Sequence, residues 1–190
     1  MKKIKKSITK TEHEKILTYL RGNTSLRANT KQNLQIVLTL LYFTGMRINE
    51  VQQLTITDLK TLIKKQELII ETFKTKRERT LYISKDAVKA IKKLFDYSKE
   101  KNNSLIIRSK GKLYQSVHHL TFIGTVNNFI QEALNSNRYS SHSYRQNLIT
   151  EMAKTINTKF IKDFIGHSDV KTTMRYIKAT EADLKNCVVI

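Results

Sequence analysis

Ile165-Gly166-His167-Ser168-Asp169-Val170-Lys171-Thr172-Thr173-Met174-Arg175-Tyr176 is the most specific stretch of the chain. Gly166 ends one helix, because glycine accepts the left-handed conformation at a helix C-terminus. Ser168 or Asp169 caps the next, its side-chain oxygen suiting the free N–H groups there. The stretch reads as helix, tight turn, helix, with His167 in the turn and Tyr176 further along the second helix. A single tyrosine is ordinarily a core residue with a satisfied hydroxyl. The standing of Tyr176 therefore depends on what the rest of the chain places with it.

Upstream lies Ser141-His142-Ser143-Tyr144-Arg145. His142 and Arg145 are three apart and share a helix face. An imidazole beside a guanidinium can bind a phosphodiester and move a proton next to it. The ordinary alternative is a capped helix start with an exposed His and Arg. Further back, residues 67–73 and 80–83 are β-rich runs separated by the charged segment 74–79, which predicts a hairpin with a basic tip. Nearer the front, Thr44-Gly45-Met46-Arg47-Ile48-Asn49-Glu50 joins an apolar helix over 31–43 to one over 47–54. Arg47 in a first helical turn would add a guanidinium fork to anion-seeking N–H groups. The ordinary alternative is a surface pair of Arg47 with Glu50.

The remaining signals frame these islands. Thr11 and Glu14 have the spacing of a capping box, ahead of Ile16, Leu17 and Leu20. Ser84 caps a helix that turns Val88, Ile91, Leu94 and Phe95 inward. Leu105-Ile106-Ile107 suggests a third strand, and helices run from about residue 115 onward, broken at 135–141, 157 and 166–167. The fold class is mainly α with a small antiparallel β-sheet or hairpin, an α+β arrangement.

Lys and Arg number 35 against 16 Asp and Glu, a net charge of +19, so the expected partner is a polyanion, nucleic acid before a membrane surface. At 39% hydrophobic the chain can still bury a core in one domain. The single cysteine, Cys187, forms neither an internal disulfide nor a zinc site by itself. The longest apolar run, residues 36–46, is too short to span a bilayer. The expectation is a soluble, cytoplasmic protein with no cofactor, no metal and no membrane partner.

Taken in order, the islands resemble the tyrosine recombinase (phage integrase) family over about residues 7–178. Thr-Gly-x-Arg-x-x-Glu matches that family's first arginine motif at Arg47, and His142 and Arg145 match its His-x-x-Arg motif. Gly166-His167-Ser168, then Thr172-Thr173 and Tyr176, match its Gly-His and nucleophile motif. The hairpin is where the family carries a catalytic lysine. Register points to Lys74, with Lys76 as the alternative because Phe73 and Thr75 replace the family's glycines. Two further departures are Tyr144, usually aliphatic, and Gln146, often His.

The resemblance implies a tyrosine-type site-specific recombinase that acts on double-stranded DNA without metal or ATP. Tyr176 would attack phosphorus to give a 3′-phosphotyrosyl link. Arg47, Arg145 and His167 would stabilise the transition state, His142 would help take the tyrosine proton, and Lys74 would protonate the leaving 5′ oxygen. Lys76, Arg77, Arg79 and Arg175 are candidate DNA contacts. Residues 1–6 form a basic arm. Residues 179–190 form a tail that either docks on a neighbouring protomer, within a dimer or tetramer on DNA, or packs locally. No separate DNA-clamping domain precedes the match. Two other readings share the motifs: a catalytically silent DNA-binding regulator, and a relaxing enzyme like type IB topoisomerases.

Overall fold

The structure is a computed structural model, and it describes residues 6–72, 78–94, 96–166 and 169–174. Lys74, Lys76, Arg77, Phe95, His167, Ser168, Arg175, Tyr176 and the 179–190 tail lie outside the described residues. Mainly helical architecture with one two-stranded antiparallel sheet is what the described residues form.

Helix α1 (Lys10–Gly22) begins two residues earlier than the Thr11 and Glu14 pattern predicts. Thr9 and Glu12 form the capping box instead, the Thr9 N–H donating to the Glu12 carboxylate at 2.9 Å. The start is set from outside the helix. Ile8 is fully buried and its N–H donates to the Ser143 carbonyl, so the chain arrives extended and turns immediately after.

Helix α2 (Ala28–Thr44) is the centre of the domain. Leu34, Ile36, Val37, Leu38, Leu40 and Leu41 are all buried, on more than one side of the helix, which a surface helix with a single apolar stripe would not show. Helices α3 (Ile48–Gln53) and α4 (Ile56–Lys65) follow, the latter capped by Thr55 and Asp58. Strand β1 (Glu67–Glu71) pairs antiparallel with β2 (Glu78–Tyr82), with Ile70 opposite Arg79 and Leu68 opposite Leu81. Leu68, Ile70, Arg79 and Leu81 all face inward.

Helix α5 (Lys85–Lys92) is capped by Ser84 as expected, its hydroxyl accepting from the Ala87 N–H at 3.2 Å, with Ala87 and Ile91 buried. The expected third strand is not one. Leu105 makes an isolated bridge to Thr55, and Ile106 donates to the Leu54 carbonyl, so 105–107 is a buried crossing segment. Its apolar run reflects burial, which periodicity cannot distinguish from a short strand. Helices α6 (His119–Ala133), α7 (Ser141–Met152), α8 (Thr158–Ile165) and α9 (Val170–Met174) complete the order, with the breaks where the sequence puts them.

Helix α2 contacts α1, α3, α5 and α7, while the hairpin lies between α4 and α8. A second, smaller core of Ile149, Ile161 and Ile165 joins α7 to α8. Among the described residues, no helix is long and apolar enough to cross a membrane.

Candidate active site

The turn between α2 and α3 sets the first side chain. Thr44 closes α2 by donating its hydroxyl to the Leu40 carbonyl, and Gly45 then takes φ +60°. Arg47 is extended (φ −84°, ψ 155°) and is the N-cap of α3, one position before the first turn expected for it. Glu50, three residues on, folds back as in a capping box: its carboxylate accepts the Arg47 N–H at 2.8 Å and an Arg47 guanidinium N–H at 2.9 Å. The helix N-terminus is thus answered by a carboxylate of its own. The pair expected at the surface is half true. The Arg47 side chain is one-third exposed, whereas Glu50 is buried.

Helix α7 supplies the next two. Ser140 is its N-cap, His142 sits exposed in the first turn, and Arg145 lies one turn later with only 1% of its surface accessible. The Arg145 guanidinium donates to the Gly45 carbonyl at 2.8 Å and to the Ile165 carbonyl at 2.5 Å. Both acceptors lie at helix C-terminal ends, where carbonyls lack intrahelical partners and carry partial negative charge. That supplies the polar contacts a buried cation requires.

Arg47, His142 and Arg145 line one cavity of about 230 Å³, with Asn49, His119 and Ser141 also in its wall. The surrounding charge is positive apart from Glu50. Burial by itself would raise the Glu50 pKa; the Arg79 guanidinium, the Arg47 N–H and the charges of Arg47 and Arg145 together bring it below the ordinary carboxylate value. His142 is held below the ordinary imidazole value, first by the desolvation that the atoms packed around its ring impose and then by the positive charges of Arg145 and Arg47. The ring is therefore neutral at neutral pH and able to accept a proton.

Arg79 corrects an expectation. Expected as a DNA contact at the hairpin, it is only 6% exposed and faces the core. It donates to the Glu50 carboxylate at 3.0 Å and to the Phe164 carbonyl, near the end of α8, at 2.6 Å. The signal was present in the sequence: Arg79 is in phase with Leu81 and Ile83, so strand alternation puts all three on one face. Glu50 was likewise legible through its three-residue spacing from Arg47, the spacing of an N-cap and its N3 partner.

At the third island Gly166 takes φ +73° and ends α8, while Asp169 accepts from the Lys171 N–H at 2.9 Å at the start of α9. Any β-carbon at 166 would stand 2.8 Å from Cδ of Arg79 and 3.1 Å from Cγ2 of Thr72. Gly166 is thus seated directly against the Arg79 stem. Lys74, Lys76, Arg77, His167, Arg175 and Tyr176 lie outside the described residues, so the geometry above concerns Arg47, His142, Arg145 and their partners.

The model of the phage integrase family matches residues 6–183. The tyrosine recombinase XerA of Pyrococcus horikoshii is 25% identical over 189 residues, covering 98% of this chain and 61% of that protein. The chain thus spans about three fifths of the length of this relative. Among solved structures, the XerA recombinase superposes with a TM-score of 0.72 at 16% identity, covering 97% of this chain and 64% of that one. The XerH site-specific recombinase bound to palindromic difH substrate, in a post-cleavage complex, gives 0.72 at 19%, covering 99% and 54%. At these identities the superpositions establish the shared fold.

Proposed function

This chain belongs to the phage integrase family, and we propose that it breaks and rejoins double-stranded DNA through a 3′-phosphotyrosyl intermediate, with Tyr176 as nucleophile. The observation that carries this reading is the convergence of Arg47, from the N-cap of α3, with His142 and Arg145, from α7, on one small positively charged cavity. In-line displacement at phosphorus develops charge on the equatorial oxygens, and fixed cationic donors stabilise that charge without reorganising. Arg47, the more exposed of the two arginines, is placed to meet a phosphate. Arg145 is held rigid by two backbone carbonyls and contributes its field and its remaining donors to the cavity wall. His142, kept neutral, takes the Tyr176 proton.

Family register assigns the other roles. Lys74, or Lys76 in its place, protonates the leaving 5′ oxygen, and His167 is a further donor to the phosphate. The phosphotyrosyl ester conserves the bond energy, so a 5′ hydroxyl rejoins the strand without ATP. Residues 7–178 form the catalytic unit. Lys76, Arg77, Arg175 and the basic arm make phosphate contacts, so binding weakens steeply with salt. XerH was captured with its DNA after cleavage, which supports duplex DNA as the substrate class here. Protomers assemble as a dimer or tetramer on that DNA, since exchange of strands between duplexes requires more than one nucleophile.

A nicked suicide substrate, which loses the 5′ hydroxyl after cleavage, tests the reading. Wild-type protein is expected to accumulate a covalent DNA adduct, and Tyr176→Phe to abolish it while DNA binding persists. Adducts that survive Tyr176→Phe would reassign the nucleophile. Binding with no adduct from wild-type protein at its cognate site would favour the silent regulator instead.

A further inference from the structure

Arg79 is a buried cation that the reaction as described does not use. Its position is unusual in three respects. It pairs with Glu50, the same carboxylate that holds both the N–H and the guanidinium of Arg47. It donates to the Phe164 carbonyl, one residue before the carbonyl that Arg145 grips. Its stem fills the space in which a side chain at 166 would stand. One side chain on β2 thus ties together the hairpin, the first arginine motif and the turn that leads to the nucleophile segment.

We propose that Arg79 is a positioning residue for strand cleavage, neutralising Glu50 so that Arg47 is left available to the phosphate, and pinning the end of α8 so that the 166 turn is fixed. This rests on the recombinase reading above. The charge argument is direct. Two guanidiniums share one carboxylate, so the Glu50 charge is not matched by Arg47 alone. With Arg79 removed, a buried carboxylate would be left with Arg47 as its nearest countercharge, and a carboxylate in that position competes with phosphate for the same fork. The geometric argument is separate. Phe164 and Ile165 present successive carbonyls to Arg79 and Arg145, so the C-terminal end of α8 is held by one arginine from the hairpin and one from α7. A purely apolar residue at 79 would fill space and would do neither.

The experiment follows adduct formation on the suicide substrate, with DNA affinity measured alongside, for the wild type, Arg79→Met, Arg79→Lys and the double variant Arg79→Met/Glu50→Gln. Arg79→Met is expected to slow cleavage by about a hundredfold at little change in DNA affinity. The double variant, which removes the unpaired carboxylate, is expected to recover about tenfold of that loss, the non-additivity of residues in one network. A merely structural Arg79 would show no such rescue. Should Arg79→Met fail to fold, Arg79→Lys decides: it keeps the charge and loses the second hydrogen bond, and cleavage about tenfold slower is expected. Wild-type rates in the folded Arg79 variants, or losses that add in the double variant, overturn the proposal while leaving the functional reading intact. An absence of adducts from the wild type overturns both.

Discussion

The guanidinium of Arg145 donates to the carbonyl oxygen of Gly45 at 2.8 Å, a direct bond between residues 100 positions apart. The same guanidinium reaches Ile165. Arg145 is therefore the post on which the first and third motifs hang, as well as a wall of the cavity.

Arg145→Lys tests that dual service. A single ammonium on a flexible stem cannot reproduce a planar fork aimed at two carbonyls. Cleavage is expected to fall by about a hundredfold or more, and the melting temperature to drop as well, because one helix-end carbonyl loses its partner. Unchanged thermal stability in the variant would show that the two bonds are not holding the motifs together.

Gly45→Ala probes the turn itself. At φ +60° an L side chain costs about 1–2 kcal/mol, and the new β-carbon would stand 2.7 Å from Cδ2 of Leu148. Urea unfolding is expected to show a loss of at least that size, with adduct formation slowed because Arg47 follows two residues later. A neutral effect on stability would mean the turn readjusts without cost.

His142 makes the pH dependence of cleavage specific. Its pKa lies below the ordinary imidazole value. The proton-accepting form therefore persists as pH falls through about 6.5 and is lost only at lower pH. The rate constant for adduct formation, measured on pre-bound complex, is expected to hold level down to about pH 6.5 and to fall below it. His142→Gln should lower the plateau and remove that limb. An acid limb centred at or above about pH 6.5 would contradict the depressed value.

His13 gives a second pH effect, on stability. It is buried against Tyr42, with ring centroids 4.0 Å apart, and its Nδ1 lies 3.2 Å from the Tyr144 hydroxyl. Burial lowers its pKa to about 4. A histidine whose folded pKa lies below its unfolded value binds its proton preferentially when unfolded. Stability is then full above about pH 6.5 and is lost as pH falls from there toward 4, by on the order of 2–3 kcal/mol. Chemical denaturation at stepped pH should show that slope, and His13→Phe should flatten it. An equally steep slope in the variant would assign the effect to other groups.

The Tyr144 departure from the family pattern acquires a reason in the same contact. A tyrosine there places a hydroxyl beside His13, which an aliphatic residue could not do. No local signal pairs the two residues, because His13 lies 131 positions away.

The chain's local signals determined the element types, the helix breaks, the glycine turns at 45 and 166, the hairpin, and the family. Those signals act within a few residues: a cap answers N–H groups two or three positions on, and strand alternation repeats every second residue. The local reading departs from the structure by shifts of one to three residues at Thr9, Ala28 and Arg47, by leaving helix α4 (Ile56–Lys65) unassigned, and by giving a strand to the apolar crossing at 105–107. Only the tertiary structure decided which charges are inside. Arg145 and Arg79 read as exposed cations in a chain of net charge +19, yet both are buried. What makes their burial tolerable is found on other elements: the carbonyl ends of α2 and α8, and a carboxylate 29 positions from Arg79. A buried charge is stabilised by partners brought to it through packing, and no local periodicity encodes where α2, the hairpin and α8 meet.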